Sequence, residues 1–335
     1  MTATRVAAVD CGTNSIRLLV ADLDPHTGEV TELDRRMTIV RLGQDVDRTG
    51  RLAPEALERT FAACKEYAEL IHGHGVGPDR TRFVATSASR DAENRDDFVR
   101  GVVEILGVEP EVISGDEEAR LSFTGATREL AAAGLHLEQP YLVVDIGGGS
   151  TEFVLGDGEV RAARSVDVGC VRMTERHFTT ADPSTADPST ADPSTADPFS
   201  ADPFSAEQIA AARADIERAL DTAAEVVPLD QARTLVGLAG SVTTVAAIAL
   251  GLTAYDSARI HHARIPVAQV REVTERLLAA THEERAANPV IHPGRVDVIG
   301  AGALVLLALM ERTGAAEVVV SEHDILDGIA WSIAG

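Results

Sequence analysis

Residues 9–15 read V-D-C-G-T-N-S, and residues 144–150 read V-D-I-G-G-G-S. Each stretch follows an apolar, β-rich run, at 6–9 and 141–144, and each precedes another, at 16–20 and 153–155. The pattern is strand, Gly-rich turn, strand, repeated 135 residues further along the chain. One D-x-G-x-x-S is an ordinary hairpin signal. Two copies in matching contexts at domain spacing indicate two similar domains facing one another.

The surrounding sequence supports an α/β class. A further strand is expected at 31–41, a helix at 54–72, a strand at 82–86, a helix at 94–106, a strand at 111–113 and a helix at 116–133. Leu57, Phe61, Cys64 and Ala68 recur at helical spacing behind Pro54. The second half repeats the alternation. Strands are expected at 160–168, 234–238 and 318–321, and helices at 170–178, 206–227, 242–250, 270–280, 295–312 and 325–333. Three strands followed by alternating helix and strand make each half an α/β domain. Domain I is expected over 1–125 and domain II over 126–335, with the final helix packing back on domain I. Residues 180–204 are five pentapeptides of the type T-A-D-P-S. A proline at every fifth position forbids regular helix and sheet, so this segment is expected to be a solvated or disordered insertion.

Composition narrows the function. The 335 residues carry a formal net charge of −23. That charge argues against duplex nucleic acid as the main partner, because phosphate backbones bind through dense Lys and Arg. A polyanionic substrate remains compatible if a local basic site and metal ions neutralise it. Lys65 is the only lysine, so the basic groups are arginines, whose planar forks suit phosphate oxygens. Cys11, Cys64 and Cys170 show no metal-ligand spacing and read as buried free thiols in a reducing compartment. No signal peptide and no spanning segment are evident, so a cytoplasmic protein without a membrane partner is expected.

The chemistry-bearing residues lie at the turns. Gly12, and Gly147 with Gly148 and Gly149, let bare backbone N–H groups approach an anion, and nearby Ser and Thr hydroxyls add donors. Asp10 and Asp145 at the strand ends would repel phosphate unless a metal intervened. Magnesium, held by one or two carboxylates plus substrate phosphates, fits that need. Arg17 and Glu152 each sit two residues beyond the motif serine, Ser15 or Ser150, and share its strand face. Arg17 would offer positive charge to phosphate, and Glu152 a further carboxylate near the metal. In I-S-G-D-E-E-A-R at 113–120, a strand leads into a helix headed by acids, one of which could orient an attacking water. V-G-L-A-G-S-V-T-T at 236–244 places Gly240 and Ser241 at a helix N-terminus open to an anion or nucleotide. T-S-A-S-R at 86–90 makes Arg90 available to a phosphate.

Taken together, D-C-G-T-N-S-I-R at 10–17, T-S-A-S-R at 86–90, I-S-G-D-E-E-A-R at 113–120, D-I-G-G-G-S-T-E at 145–152 and G-L-A-G-S-V-T-T at 237–244 are specific. With them the chain resembles the exopolyphosphatase/guanosine-pentaphosphate phosphohydrolase (Ppx/GppA) family of the actin-like ATPase superfamily. The match covers nearly everything outside the pentapeptides. The resemblance implies two ribonuclease-H-like domains with the active site in the cleft between them. It implies Glu118 as the catalytic base, and Asp145 and Glu152, with Asp10 nearby, as metal and water-ordering acids. It puts phosphate-binding turns at Thr13, Asn14 and Ser15 and at Gly147, Gly148, Gly149, Ser150 and Thr151. Phosphate-touching arginines fall on Arg17, Arg90 and Arg295. The implied substrate is inorganic polyphosphate, with guanosine pentaphosphate as the alternative and a binding regulator or kinase-like relative as a third reading. The chain matches the short form without the C-terminal HD-like domain, which favours short polyphosphates. Relatives make a homodimer plausible, although no surface stripe in the sequence points to one.

Overall fold

The computed structural model describes residues 3–132, 134–178 and 203–334. Most of the pentapeptide segment therefore lies outside the described residues. Its last aromatic does not. Phe204 is buried and its ring centroid stacks 4.4 Å from that of Phe178, so the expectation of a solvated segment fails at this end. Helix Ala206–Ala224 begins at once behind it, capped by Ser205 and Gln208 in a reciprocal capping box.

Two sheets organise the chain. The first contains β1 (Thr4–Cys11), β2 (Ser15–Leu23), β3 (Val30–Ile39), β4 (Thr81–Ala85) and β5 (Glu111–Val112), in the order β3-β2-β1-β4-β5. The second contains β6 (Tyr141–Ile146), β7 (Thr151–Gly156), β8 (Val160–Val166), β9 (Thr234–Leu238), β10 (Arg264–Pro266) and β11 (Glu317–Val320), in the order β10-β11-β9-β6-β7-β8. Each sheet is an antiparallel three-strand meander whose first strand pairs in parallel with the fourth, β1 with β4 and β6 with β9. The second sheet adds β10, an antiparallel edge strand that the sequence reading missed. At three residues, it is too short to show an alternating pattern.

Apolar layers cover both faces of each sheet, which is why β1 and β6 carry almost unbroken hydrophobic runs. The assignment of helices to sheets is crossed. Helix Gly115–Ala132, which follows β5, packs Ala119, Phe123, Ala126 and Leu130 on the second sheet. Helix Ile325–Ala334, which follows β11, packs Ile325, Leu326, Ile329 and Trp331 on the first sheet. The two helices touch backbone to backbone where they cross. A Cβ on Gly125 would overlap the Asp324 carbonyl, and one on Gly328 would overlap that of Leu121.

These glycines allow a separation that any side chain would widen. Gly125→Ala should therefore destabilise the protein by about 1–3 kcal/mol, the cost of overpacking, and lower the thermal midpoint. Gly73→Ala, where the added Cβ meets nothing within 4 Å, should leave the midpoint unchanged or slightly raised.

Candidate active site

The two Gly-rich turns close in the same way. The Gly12 amide donates to the Ser15 carbonyl at 2.9 Å, and the Gly147 amide donates to that of Ser150 at 3.0 Å. The turns also press on each other. A Cβ on Gly148 would lie 2.8 Å from the Thr13 Cβ, and one on Gly149 would lie 2.6 Å from the Ser87 Oγ. Thr13 Oγ1 and Ser87 Oγ are 2.8 Å apart and hydrogen-bonded. Facing turns thus form one crevice of about 70 Å³ lined by residues of both domains, Asp10, Glu118 and Asp145 among them.

Strand register explains the two charges beyond the turns. Asp10 on β1 stands opposite Arg17 on β2, and Asp145 on β6 stands opposite Glu152 on β7. The first pair is opposite in sign and the second alike. Arg17 donates from Nε at 2.9 Å and Nη2 at 2.6 Å to Asp10 Oδ2, and its Nη1 bonds Asp324. Its guanidinium thus grips two carboxylates, although it also lines the crevice. Asp145 Oδ2 accepts from Ser122 at 2.7 Å, and Glu152 Oε1 accepts from Ser165 at 2.7 Å.

Burial and like charge raise these acids. Burial, then Asp324, lifts Asp145 to about 6 against the pull of Ser122 and Arg17. Burial, then Asp145, lifts Glu152 to about 8. Glu118, 8% exposed, is held well above the usual range by burial and by Glu152, while Arg90 opposes the shift. Arg90 Nη1 donates to Glu118 Oε2 at 3.2 Å and to the Ile113 carbonyl at 3.1 Å.

The remaining candidates divide. Thr13, Asn14, Ser15, Gly147, Gly148, Ser150, Gly240 and Arg295 line the crevice. Gly149, Thr151, Glu152, Ser241 and Arg90 stand behind it. Thr151 donates to the Val168 carbonyl at 2.5 Å, and Ser241 is buried against Cys170 and Gly302. The Arg295 side chain makes no hydrogen bond or ion pair among the described residues. Its guanidinium lies on Gly240, where any Cβ would overlap it. The neighbouring Ala239 has φ 67, a left-handed conformation that non-glycine residues rarely adopt, at the mouth of the site. Sequence reasoning missed Ser122 and Asp324. Ser122 was within reach, because it lies one helical turn beyond Glu118 on the same face. Nothing in S-E-H-D at 321–324 points to Arg17.

Among the described residues, no three His, Cys, Asp or Glu side chains are grouped to hold an ion by themselves. Asp10 Oδ1, however, is buried without a hydrogen-bond partner, as are both amide atoms of Asn14. An orphaned carboxylate oxygen beside Asp145 suits an ion that takes one or two protein carboxylates and completes its shell with water and phosphate. The residues therefore fit a magnesium ion brought with substrate, and not a closed protein cage.

Two α/β domains built on matching meanders close on a small, carboxylate-lined crevice, the layout of an enzyme equipped for phosphoryl chemistry. The chain belongs to the Ppx/GppA phosphatase family, whose profile matches residues 19–192 and 194–334. It is 49% identical over 346 aligned positions, spanning 100% of both chains, to Exopolyphosphatase 2 of Mycobacterium tuberculosis H37Rv. A crystal structure of an exopolyphosphatase-like protein superposes with TM-score 0.87 at 41% identity, covering 99% of each chain. The PPX-GPPA enzyme of Aquifex aeolicus superposes with TM-score 0.76 at 30% identity, covering 98% of this chain and 99% of that one.

Glu152 sets a pH signature on the metal-free protein. Its folded value near 8 exceeds the ordinary carboxylate range, so the stability it contributes is complete below about pH 4 and is lost as pH rises towards 8. Glu152→Gln should melt higher than the parent at pH 8, with the difference shrinking as pH falls to 4.5. Thermal melts across that range in chelator check the sign.

Proposed function

We propose that the chain is a cytoplasmic exopolyphosphatase that hydrolyses the terminal phosphoanhydride of inorganic polyphosphate and releases orthophosphate. The observation that carries this reading is Glu118, buried with a raised proton affinity in the same crevice as the two anion-binding turns. A carboxylate there can take a proton from water, because burial and Glu152 raise its proton affinity above that of an ordinary carboxylate. The turn amides and the Ser15 and Ser150 hydroxyls would receive the terminal phosphoryl oxygens. Arg295, unpaired beside Gly240, would meet the negative charge of the next unit. Asp10 and Asp145 would hold a magnesium ion, which supplies charge neutralisation between acids and phosphates. Arg90 keeps Glu118 aimed through its hydrogen bond.

One observation favours guanosine pentaphosphate as a second reading. A larger chamber of about 480 Å³ adjoins the crevice and shares Arg17, Ala239, Gly240 and Arg295 with it. Met37, Tyr255, Val290, Ile291 and Leu326 also line it. Polyphosphate has no apolar surface to match such walls, whereas a nucleoside does. Phosphate release from polyphosphates of graded length and from guanosine pentaphosphate, measured side by side, separates the two readings. No helix among the described residues is long and apolar enough to cross a membrane.

Glu118→Gln should lower kcat about 10²–10⁴-fold, the usual contribution of a general base, while substrate binding by calorimetry persists. Phosphate release that survives this substitution would remove Glu118 from the mechanism. Excess chelator should abolish turnover, and added magnesium should restore it.

A further inference from the structure

We propose that Asp324 is a positioning residue for the reaction: it holds Arg17 so that Asp10 presents a single free oxygen to the crevice. This rests on the phosphohydrolase reading above. Arg17 reaches from β2 towards two carboxylates. Asp10 Oδ2 takes two of its N–H groups, and Asp324 Oδ2 takes a third. With Oδ2 so engaged, Asp10 is left with Oδ1, buried and without a partner. Without Asp324, Arg17 would be free to turn across Asp10 and cover both oxygens.

Asp324 itself is fixed from three sides. Its Oδ1 accepts from the Leu326 amide at 3.0 Å, and its own amide donates to Asp327 Oδ2 at 3.0 Å. Asp327 is in turn held by Arg35 at 2.6 Å. The Asp324 carbonyl lies against Gly125 at the helix crossing. Asp324 is 4% exposed, yet its carboxyl sits below the ordinary range: burial pushes it up, but Arg17, the Leu326 amide and Arg35 outweigh that. It therefore remains a charged anchor. Its field also bears on Asp145 and Asp10, so it sets the charge of the crevice without lining its small cavity.

Asp324→Asn tests this because the amide keeps an oxygen for the Leu326 cap and removes only the charge that Arg17 grips. We expect a thermal midpoint close to the parent, a KM within a few-fold, and a kcat lowered about 10–100-fold, as for other outer-shell partners. Arg17→Gln combined with Asp324→Asn should lose no more than Arg17→Gln alone, since both changes break one unit. Independent roles would multiply. Asp324→Glu, which retains the charge, should recover part of the kcat. A second readout needs no turnover. Magnesium should raise the melting temperature of Asp324→Asn less than that of the parent, because Arg17 then neutralises Asp10 alone.

A kcat within twofold of the parent, multiplying losses in the double variant, or a glutamate no better than the amide would overturn the proposal. So would a kcat loss matched by a collapse of the melt. If the parent released no phosphate from any polyphosphate, the phosphohydrolase reading would fall, and the magnesium melts would decide Asp324 by themselves. An equal rise in both proteins would then overturn its role.

Discussion

The structure depends on a crowd of negative charge that is not neutralised from within. Asp10, Glu118, Asp145, Glu152 and Asp324 are all buried around one crevice, with Arg17 and Arg90 as the arginines paired to them. Burying a carboxylate costs several kcal/mol unless it is paired, protonated or bound to a cation. Two of these routes are visible: Asp10 and Asp324 are paired to Arg17, and Glu118 and Glu152 are pushed towards their protonated forms, while Asp10 Oδ1 has no hydrogen-bond partner. A site that is unfavourable when empty gains most when cations and phosphates arrive together. That fits a polyanionic substrate better than a neutral one, and it reconciles an acidic chain with a phosphate ligand.

Such crowding needs a frame that cannot relax, and the crossed helices supply it. Each leaves one sheet and covers the other, so neither domain has a complete core without its neighbour. Their backbone contact at Gly125 and Gly328 fixes the separation. The first helix carries Glu118 and Ser122 to the crevice, and the turn leading into the second carries Asp324. On the far side, Arg172 Nη1 meets Asp47 at 2.6 Å, its Nη2 meets Asp91 at 2.5 Å, and its Nε donates to the Gly149 carbonyl at 2.7 Å. This partly buried arginine ties the second turn to two elements of the first domain. The carboxylates are thus clamped from opposite edges and cannot separate to reduce their repulsion.

What could be read in the sequence was what is local. The turn–strand echo gave the duplicated meander, because Asp10–Ser15 and Asp145–Ser150 each complete their hydrogen bonds within a few residues. Helical and strand periods placed the major helices and strands, including the final helix. Features that depend on distant partners were not legible. Arg17 looks like a phosphate ligand on its strand, and only the fold shows Asp324 beside it. Thr151 and Ser241 look like motif hydroxyls, yet a carbonyl 17 residues away occupies the first and Cys170 packs against the second. Phe204 belongs to a repeat that looks solvated, and becomes core because Phe178 waits for it. Ser122 is the exception, a local signal one turn past Glu118.

The two cavities show how charge and shape divide the work of recognition. The crevice at the acids is small and polar, with room for little beyond a phosphoryl group. The chamber beyond Arg295 is several times larger and faced with apolar side chains. Volume alone would place the chemistry in the chamber, but of the acids only Asp324 and Glu322 line it, and Glu118, Asp145 and Glu152 do not. The proposed phosphoryl chemistry is therefore assigned to the crevice, where burial lifts Asp145 to about 6 and Glu152 to about 8. On that proposal, the chamber would hold whatever remains attached to the phosphate being cleaved. Arg295 lies on Gly240 and lines both spaces. Burial lowers its proton affinity against the opposing pull of Cys170, Tyr255 and Glu322, so it would gain from a phosphate beside it. On the proposed function, selection between a bare phosphate chain and a nucleoside-bearing one would be a property of the chamber walls, separable from the acids of the crevice.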